Sequence, residues 1–238
     1  FDEEVCVPGG GFVFGSADIL RDDGLRATPE RLAVLAPFRL DRYEVTVGRW
    51  RQALANGFSV PDGPLANNGP LNAKAELGDD QLCSWSAAPQ GRETMPLTCV
   101  SWTAARAFCQ FLGGDLPSEA QWEYAAQVAG RPHESRYPWG EDQPTCDRAV
   151  FGRLAAGAAV KRLRAGQCFE DGELPGPQPV DTASAVGRDR TPLGLVHMAG
   201  GVSELMLDSF EFFSSACVQS APLAEPVCLN PNNPGRAV

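Results

Sequence analysis

Lysine is almost missing from this chain: Lys74 and Lys161 are the only two, and the other basic side chains are arginines. With 30 acidic against 20 basic residues the net charge is −10. A surface of that sign repels phosphate, which speaks against nucleic acid and against anionic membrane as partners. Imidazole is scarce too, since His133 and His197 are the only histidines, and no Cys-x-x-Cys occurs. A zinc site, which wants four closely spaced nitrogen or sulfur ligands, is therefore not expected. No apolar run reaches the roughly 18 residues of a membrane-spanning helix. The dinucleotide fingerprint fails as well: after Gly9 and Gly11, the third required glycine position holds Phe14. The chain opens on Phe1 rather than Met, so a leader, with or without a lipid anchor, is expected to precede it.

What the chain does carry is cysteine. The eight are Cys6, Cys83, Cys99, Cys109, Cys146, Cys168, Cys217 and Cys228. An even count suits full pairing and an oxidising compartment, although eight cysteines allow 105 connectivities and spacing alone does not choose among them. Several sit in short loops rich in Gly, Pro and polar residues, where a cross-link tethers an otherwise mobile segment. Cys146 with Cys168, and Cys217 with Cys228, are the expected pairs.

A hydrophobic fraction of 43% and a charged fraction of 21% describe an ordinary globular chain, while 25 Gly and 20 Pro call for much loop. No repeat or linker divides it, so residues 1–238 read as one domain. Residues 5–16 suit a turn entering a short strand, and residues 37–45 alternate as a strand around Phe38, Leu40 and Tyr43. Three amphipathic helices follow. The first runs from Thr46 as N-cap to Asn56, with Trp50, Ala53 and Leu54 on one face. The second follows Ser101, buries Ala104, Ala105, Phe108, Phe111 and Leu112, and stops at Gly113 and Gly114. The third opens at Ser118, where Gln121 completes a capping box, and carries Trp122, Ala125 and Ala126 into the core. Residues 152–178 form a long Gly-rich connection, including a solvated acidic stretch of Glu170, Asp171 and Glu173. Spacing supplies neither histidine with a catalytic partner.

Six segments, in order, carry a resemblance to a known family. They are Val7-Pro8-Gly9-Gly10 through Gly15-Ser16; Tyr43-Glu44-Val45-Thr46; Pro96-Leu97-Thr98-Cys99-Val100-Ser101-Trp102 through Leu116-Pro117-Ser118-Glu119-Ala120-Gln121-Trp122-Glu123-Tyr124-Ala125-Ala126; Tyr137-Pro138-Trp139-Gly140; Pro179-Val180; and Gly194-Leu195-Val196-His197-Met198-Ala199-Gly200. Together they resemble the formylglycine-generating enzymes, or sulfatase-modifying factors. The resemblance implies an α+β, C-type-lectin-related fold, loop-rich, with few helices and a small mixed sheet.

Family enzymes resemble copper-dependent oxidases that turn the cysteine of a Cys-x-Pro-x-Arg segment in a sulfatase into formylglycine. They use two close cysteines that follow an Arg-Gly-Gly-Ser-Trp-like strand, because soft thiolates select Cu(I). This chain ends at Arg236-Ala237-Val238, near the start of that strand, so it is expected to lack the family's C-terminal segment. Copper is expected only where such a segment exists, and no catalytic residue is assigned. The family's Asn-x-x-Gly-Asn-x-Trp-Glu-Trp stretch, part of which cradles calcium, falls on His197 to Leu205. Gly200, Val202 and Glu204 are the calcium candidates, with His197 standing in place of a hard oxygen donor. The expectation is an exported domain, in the periplasm, on the cell surface or outside the cell. It would be non-catalytic and bind a protein or glycan, or form part of a surface assembly. The alternative is a formylglycine-generating oxidase whose catalytic piece lies outside this chain.

Overall fold

In a computed structural model, the described residues are 2–20, 26–65, 83–151, 176–182, 188–233 and 235–238. Most of the Gly-rich connection at 152–178, including Cys168 and the Glu170–Asp171–Glu173 stretch, lies outside them.

Strand β1 (Glu4–Val7) buries Val5 and Val7 and exposes Glu4 and Cys6, the period-two pattern of a half-buried strand. It pairs antiparallel with β4 (Phe38–Asp41), Val7 opposite Phe38. The long hairpin of β2 (Gly10–Leu20) and β3 (Arg26–Leu35) forms a second antiparallel pair. A single parallel bridge, Val34 to Ala224, attaches a late loop to it. The register of the hairpin shifts between Phe14 and Ser16. Gly15 stands at the shift with φ +97°, and a Cβ there would lie 2.5 Å from the Ala27 carbonyl and 2.7 Å from the Phe213 ring. β4 ends at Asp41 rather than running on past Tyr43, because the next backbone groups are taken elsewhere. The Arg42 carbonyl accepts from Val196, the Val45 carbonyl from Leu97, and Val47 N–H donates to Met95.

Helix α1 (Val47–Ala55) is capped by the Thr46 hydroxyl, which accepts from Arg49 N–H. Ser101 caps α2 (Trp102–Phe111) in the same way. At α3 (Glu119–Gln127) both halves of the capping box are present. A fourth helix, α4 (Ala216–Ser220), starts at Ser215, and the Arg31 guanidinium holds the carbonyls of Val218, Ala221 and Pro222 around its end. The left-handed stop after α2 is in place, with Gly113 at φ +90° and Gly114 N–H donating to the Cys109 carbonyl. The burial expected at that end is not: Phe111 is 43% exposed and Leu112 51%. They lie one turn beyond Phe108 at the rim of the core that buries Ala104 and Phe108, where Phe111 keeps its ring 5.4 Å from that of Phe58 and Leu112 faces a surface cavity.

Two hydrophobic cores result. One packs β1, β2 and β3 on α3, with Phe12 and Tyr124 ring centres 5.2 Å apart. The other gathers α1 and α2 around Trp50, which stacks on Phe108 at 5.1 Å and meets Phe58 edge-on at 5.0 Å. Cystines staple the loops. Cys217 and Cys228 are bonded across 11 residues, while Cys83 joins Cys99 across 16. Closing loops of this size contributes about 3 kcal/mol each by limiting the unfolded chain. Cys146 is in a disulfide, and its expected partner Cys168 lies outside the described residues. Cys6 and Cys109 are free. Among the described residues no helix is long and apolar enough to cross a membrane.

Candidate functional site

The 197–205 loop is folded around one imidazole. His197 sits at φ +64°, its N–H donating to the Asp189 carbonyl while the next turn brings Gly201 N–H to the Val150 carbonyl. The side chain of His197 is wholly buried, and its Nδ1 lies 2.9 and 3.0 Å from the two oxygens of Glu44, itself 5% exposed. Asp189 is fully buried beneath the same loop, and neither of its oxygens makes a hydrogen bond of ordinary geometry. A Cβ on Gly201 would stand 2.5 Å from Glu44 Oε1, so only glycine leaves room for the pair.

Charge within this cluster is balanced unevenly. Burial lowers the His197 pKa, but hydrogen bonds to Glu44 and the charges of Glu44, Asp189 and Glu204 outweigh it and hold the ring above its usual value. Burial pushes the Asp189 carboxyl up to about 6, the Glu44 charge adding to it and His197 opposing. Withdrawal from water pushes Glu204 up to about 7, with Glu44 adding to it, although the Trp122 indole N–H donates to its carboxylate. On the neighbouring turn of α3, burial pushes Glu123 up to about 8 against the opposing Gly15 N–H.

Two cavities open on either side of Trp122 and the 202–204 turn. The smaller, about 500 Å³, lies against Glu119, Glu123 and the 197–204 loop. The larger, about 860 Å³, runs between β4, α2 and the same turn, with Leu40, Leu97, Val100, Leu112 and Leu205 among its walls and Arg39 and Asp115 at its rim. Val238 borders both. It is held there because 206–209 pairs with 236–237: Met206 N–H donates to Ala237, and Ala237 N–H to Asp208. Trp102 fixes this arrangement by donating from Nε1 to the Met206 carbonyl while Arg236 lies over its ring, 4.0 Å from the centre.

Of the calcium candidates, Glu204 accepts from the Trp122 indole through one oxygen, while the His197 imidazole beside them is turned onto Glu44. Among the described residues no group of three or more His, Cys, Asp or Glu is placed to hold a metal ion. Among the described cysteines, Cys217 and Cys228 are bonded to each other, Cys6 and Cys109 are free, and burial pushes the Cys109 thiol in the larger cavity up to about 11. A neutral thiol is a poor ligand, since the thiolate does the binding.

Sequence reasoning reached the loop but missed its partners. Glu44 stands in the Tyr43-Glu44-Val45-Thr46 segment, yet 153 residues separate it from His197, and Asp189 carried no signal. Trp122, expected in the core, is half-buried and forms the ridge between the cavities.

A capped α3 beside a short sheet, with this loop packed across both, defines a class that comparison identifies. Residues 1–222 match the family described as the sulfatase-modifying factor enzyme 1-like domain, and the chain belongs to that family. The formylglycine-generating enzyme of Streptomyces coelicolor is 29% identical over 249 residues, covering 94% of this chain and 73% of that protein. The inactive C-alpha-formylglycine-generating enzyme 2 of Bos taurus is 31% identical over 178 residues, 64% of this chain and 58% of that protein. The chain thus spans under two thirds of the bovine relative. PvdO from Pseudomonas aeruginosa shares the fold, with a TM-score of 0.59 at 20% identity over 96% of this chain and 77% of that one. The family thus holds both proteins named as enzymes and one named inactive.

Proposed function

We propose that this chain is an exported, non-catalytic member of its family that binds a protein segment in the cavity between β4, α2 and the 202–205 turn. The observation that carries the reading is the composition of that cavity. It is about 860 Å³, lined by aliphatic side chains together with the aromatic rings of Tyr43, Trp50, Phe108 and Trp122, and burial pushes its Cys109 thiol up to about 11. Such a site is suited to bury an apolar side chain with Arg39 and Asp115 orienting the flanking backbone, and ill suited to activate oxygen. Export is supported by the cystines, which persist in oxidising compartments.

Peptide and glycan arrays probed with the whole chain test this reading. Peptides with a central Leu, Ile or Phe are expected to bind, and binding should be lost in Leu97→Arg, which fills the cavity with charge. Glycan binding that survives Leu97→Arg contradicts it.

A second reading, the copper-dependent oxidase, draws on the relative named as a formylglycine-generating enzyme that covers 94% of this chain. It requires a further segment with two close cysteines. Peptide mapping of the native protein, reduced and unreduced, decides the point: such a segment favours the oxidase, and its absence leaves the binding domain.

A further inference from the structure

Glu44 and Asp189 bring two carboxyl groups of one sign to a region closed to water, and the half-buried Glu204 faces it from the cavity side. Burying like charges without a counter-charge is strongly unfavourable, so such a region needs a cation. In the loops that this one resembles, calcium supplies it. Here the position of the oxygen donor carries His197, whose ring is turned onto both Glu44 oxygens at 2.9 and 3.0 Å. The Asp189 and Glu204 charges act on the same ring. The backbone closes on this pair: a Cβ on Gly201 would lie 2.5 Å from Glu44 Oε1 and 3.4 Å from His197 Nδ1. The carboxylate of Glu204 is already held by the Trp122 indole.

We infer that the His197 side chain is a built-in replacement for a metal ion, its ring supplying the positive charge that closes the 197–204 loop without calcium. The device is independent of what the larger cavity binds. It makes the loop insensitive to the calcium concentration outside the cell, where family members that depend on the ion would respond to it.

Thermal unfolding of the whole chain in EDTA and in excess calcium tests the inference. Wild type is expected to show one Tm in both buffers and no bound metal by elemental analysis. His197→Asn removes the cation and restores an oxygen donor, and asparagine tolerates the positive φ of this position. That variant is expected to melt lower than wild type in EDTA and to regain roughly 5–10 °C with calcium at about a hundred times its Kd. Three results overturn the inference: a wild-type Tm that falls in EDTA and returns with calcium, bound metal in the purified wild type, or a His197→Asn protein as stable as wild type and blind to calcium. Should His197→Asn not fold in either buffer, His197→Lys decides, because it keeps a cation. A folded, calcium-blind lysine variant supports the replacement, and one that requires calcium refutes it.

Discussion

Replacing Glu44 by glutamine keeps the shape of the side chain and one acceptor oxygen but removes its charge. The change falls on a pair in which His197 is wholly buried and Glu44 is 5% exposed, so solvent offers little relief. Breaking a buried pair of this kind costs about 3–5 kcal/mol, because the remaining charge is stranded. The imidazole is not fully stranded here, since Asp189 and Glu204 still face it, which puts the expected cost near the lower end, about 3 kcal/mol. A chain of this size loses roughly 2–4 °C of Tm per kcal/mol, so Glu44→Gln should melt roughly 6–12 °C below wild type. Differential scanning calorimetry measures the shift. An NMR titration of the His197 ring should show its pKa falling, because Glu44 is the leading cause that raises it. A Tm within about 2 °C of wild type, with an unmoved titration, would refute the claim that this pair holds the loop.

Three carboxyls make stability fall as pH rises. Asp189, Glu204 and Glu123 have folded-state values raised to about 6, 7 and 8, so the stability they contribute is complete below their unfolded values and is lost as pH climbs through those points. Each adds a slope of up to about 1.4 kcal/mol per pH unit inside its window, and Tm should be higher at about pH 5 than at about pH 8. Asp115, held low by Arg106, acts in the opposite sense only at acid pH, and an urea series across pH would expose a flat profile if the burial is wrong. Gly201→Ala forces a Cβ against Glu44 Oε1 at φ +78°, and about 2–3 kcal/mol of destabilisation in urea unfolding is expected, against near-neutrality for Gly91→Ala in space, where only the positive φ is strained. Ser118→Ala removes one half of the α3 capping box and should cost about 1 kcal/mol, while a change below roughly 0.3 kcal/mol would show that Asp208, which accepts from Glu119 N–H, carries the cap alone.

The helices were legible because their signals are local. Thr46, Ser101 and Ser118 each cap within three residues, and apolar spacing marks Trp50, Ala53, Ala104 and Phe108. The limits of that logic show at Phe111 and Leu112, which keep the helical spacing but stay partly exposed at the rim of the core. Among the cystines, the Cys217–Cys228 link ties α4 to a segment 11 residues on and was expected from its short loop-like setting, whereas Cys83–Cys99 is one choice among many until Ser84 and Thr98 are seen joined between them. The site was legible as a segment and opaque as a cluster. His197 marked a departure from an oxygen-donor position, but Glu44 reaches it only through the pairing of residue 42 with 196, which no local pattern encodes, while Asp189 is joined to it by the short Arg190–Val196 turn. Exposure of the cavity walls is equally a product of how α2 and the 202–205 turn meet.

The central claim, that this domain binds rather than oxidises, is tested most directly by mass spectrometry of a Cys-x-Pro-x-Arg peptide incubated with the whole chain, copper, a thiol reductant and oxygen. The account predicts a peptide whose mass is unchanged, with a parallel family oxidase converting it under the same conditions. Conversion of the cysteine to formylglycine by this chain, repeated over many turnovers and abolished by removing copper, would contradict it.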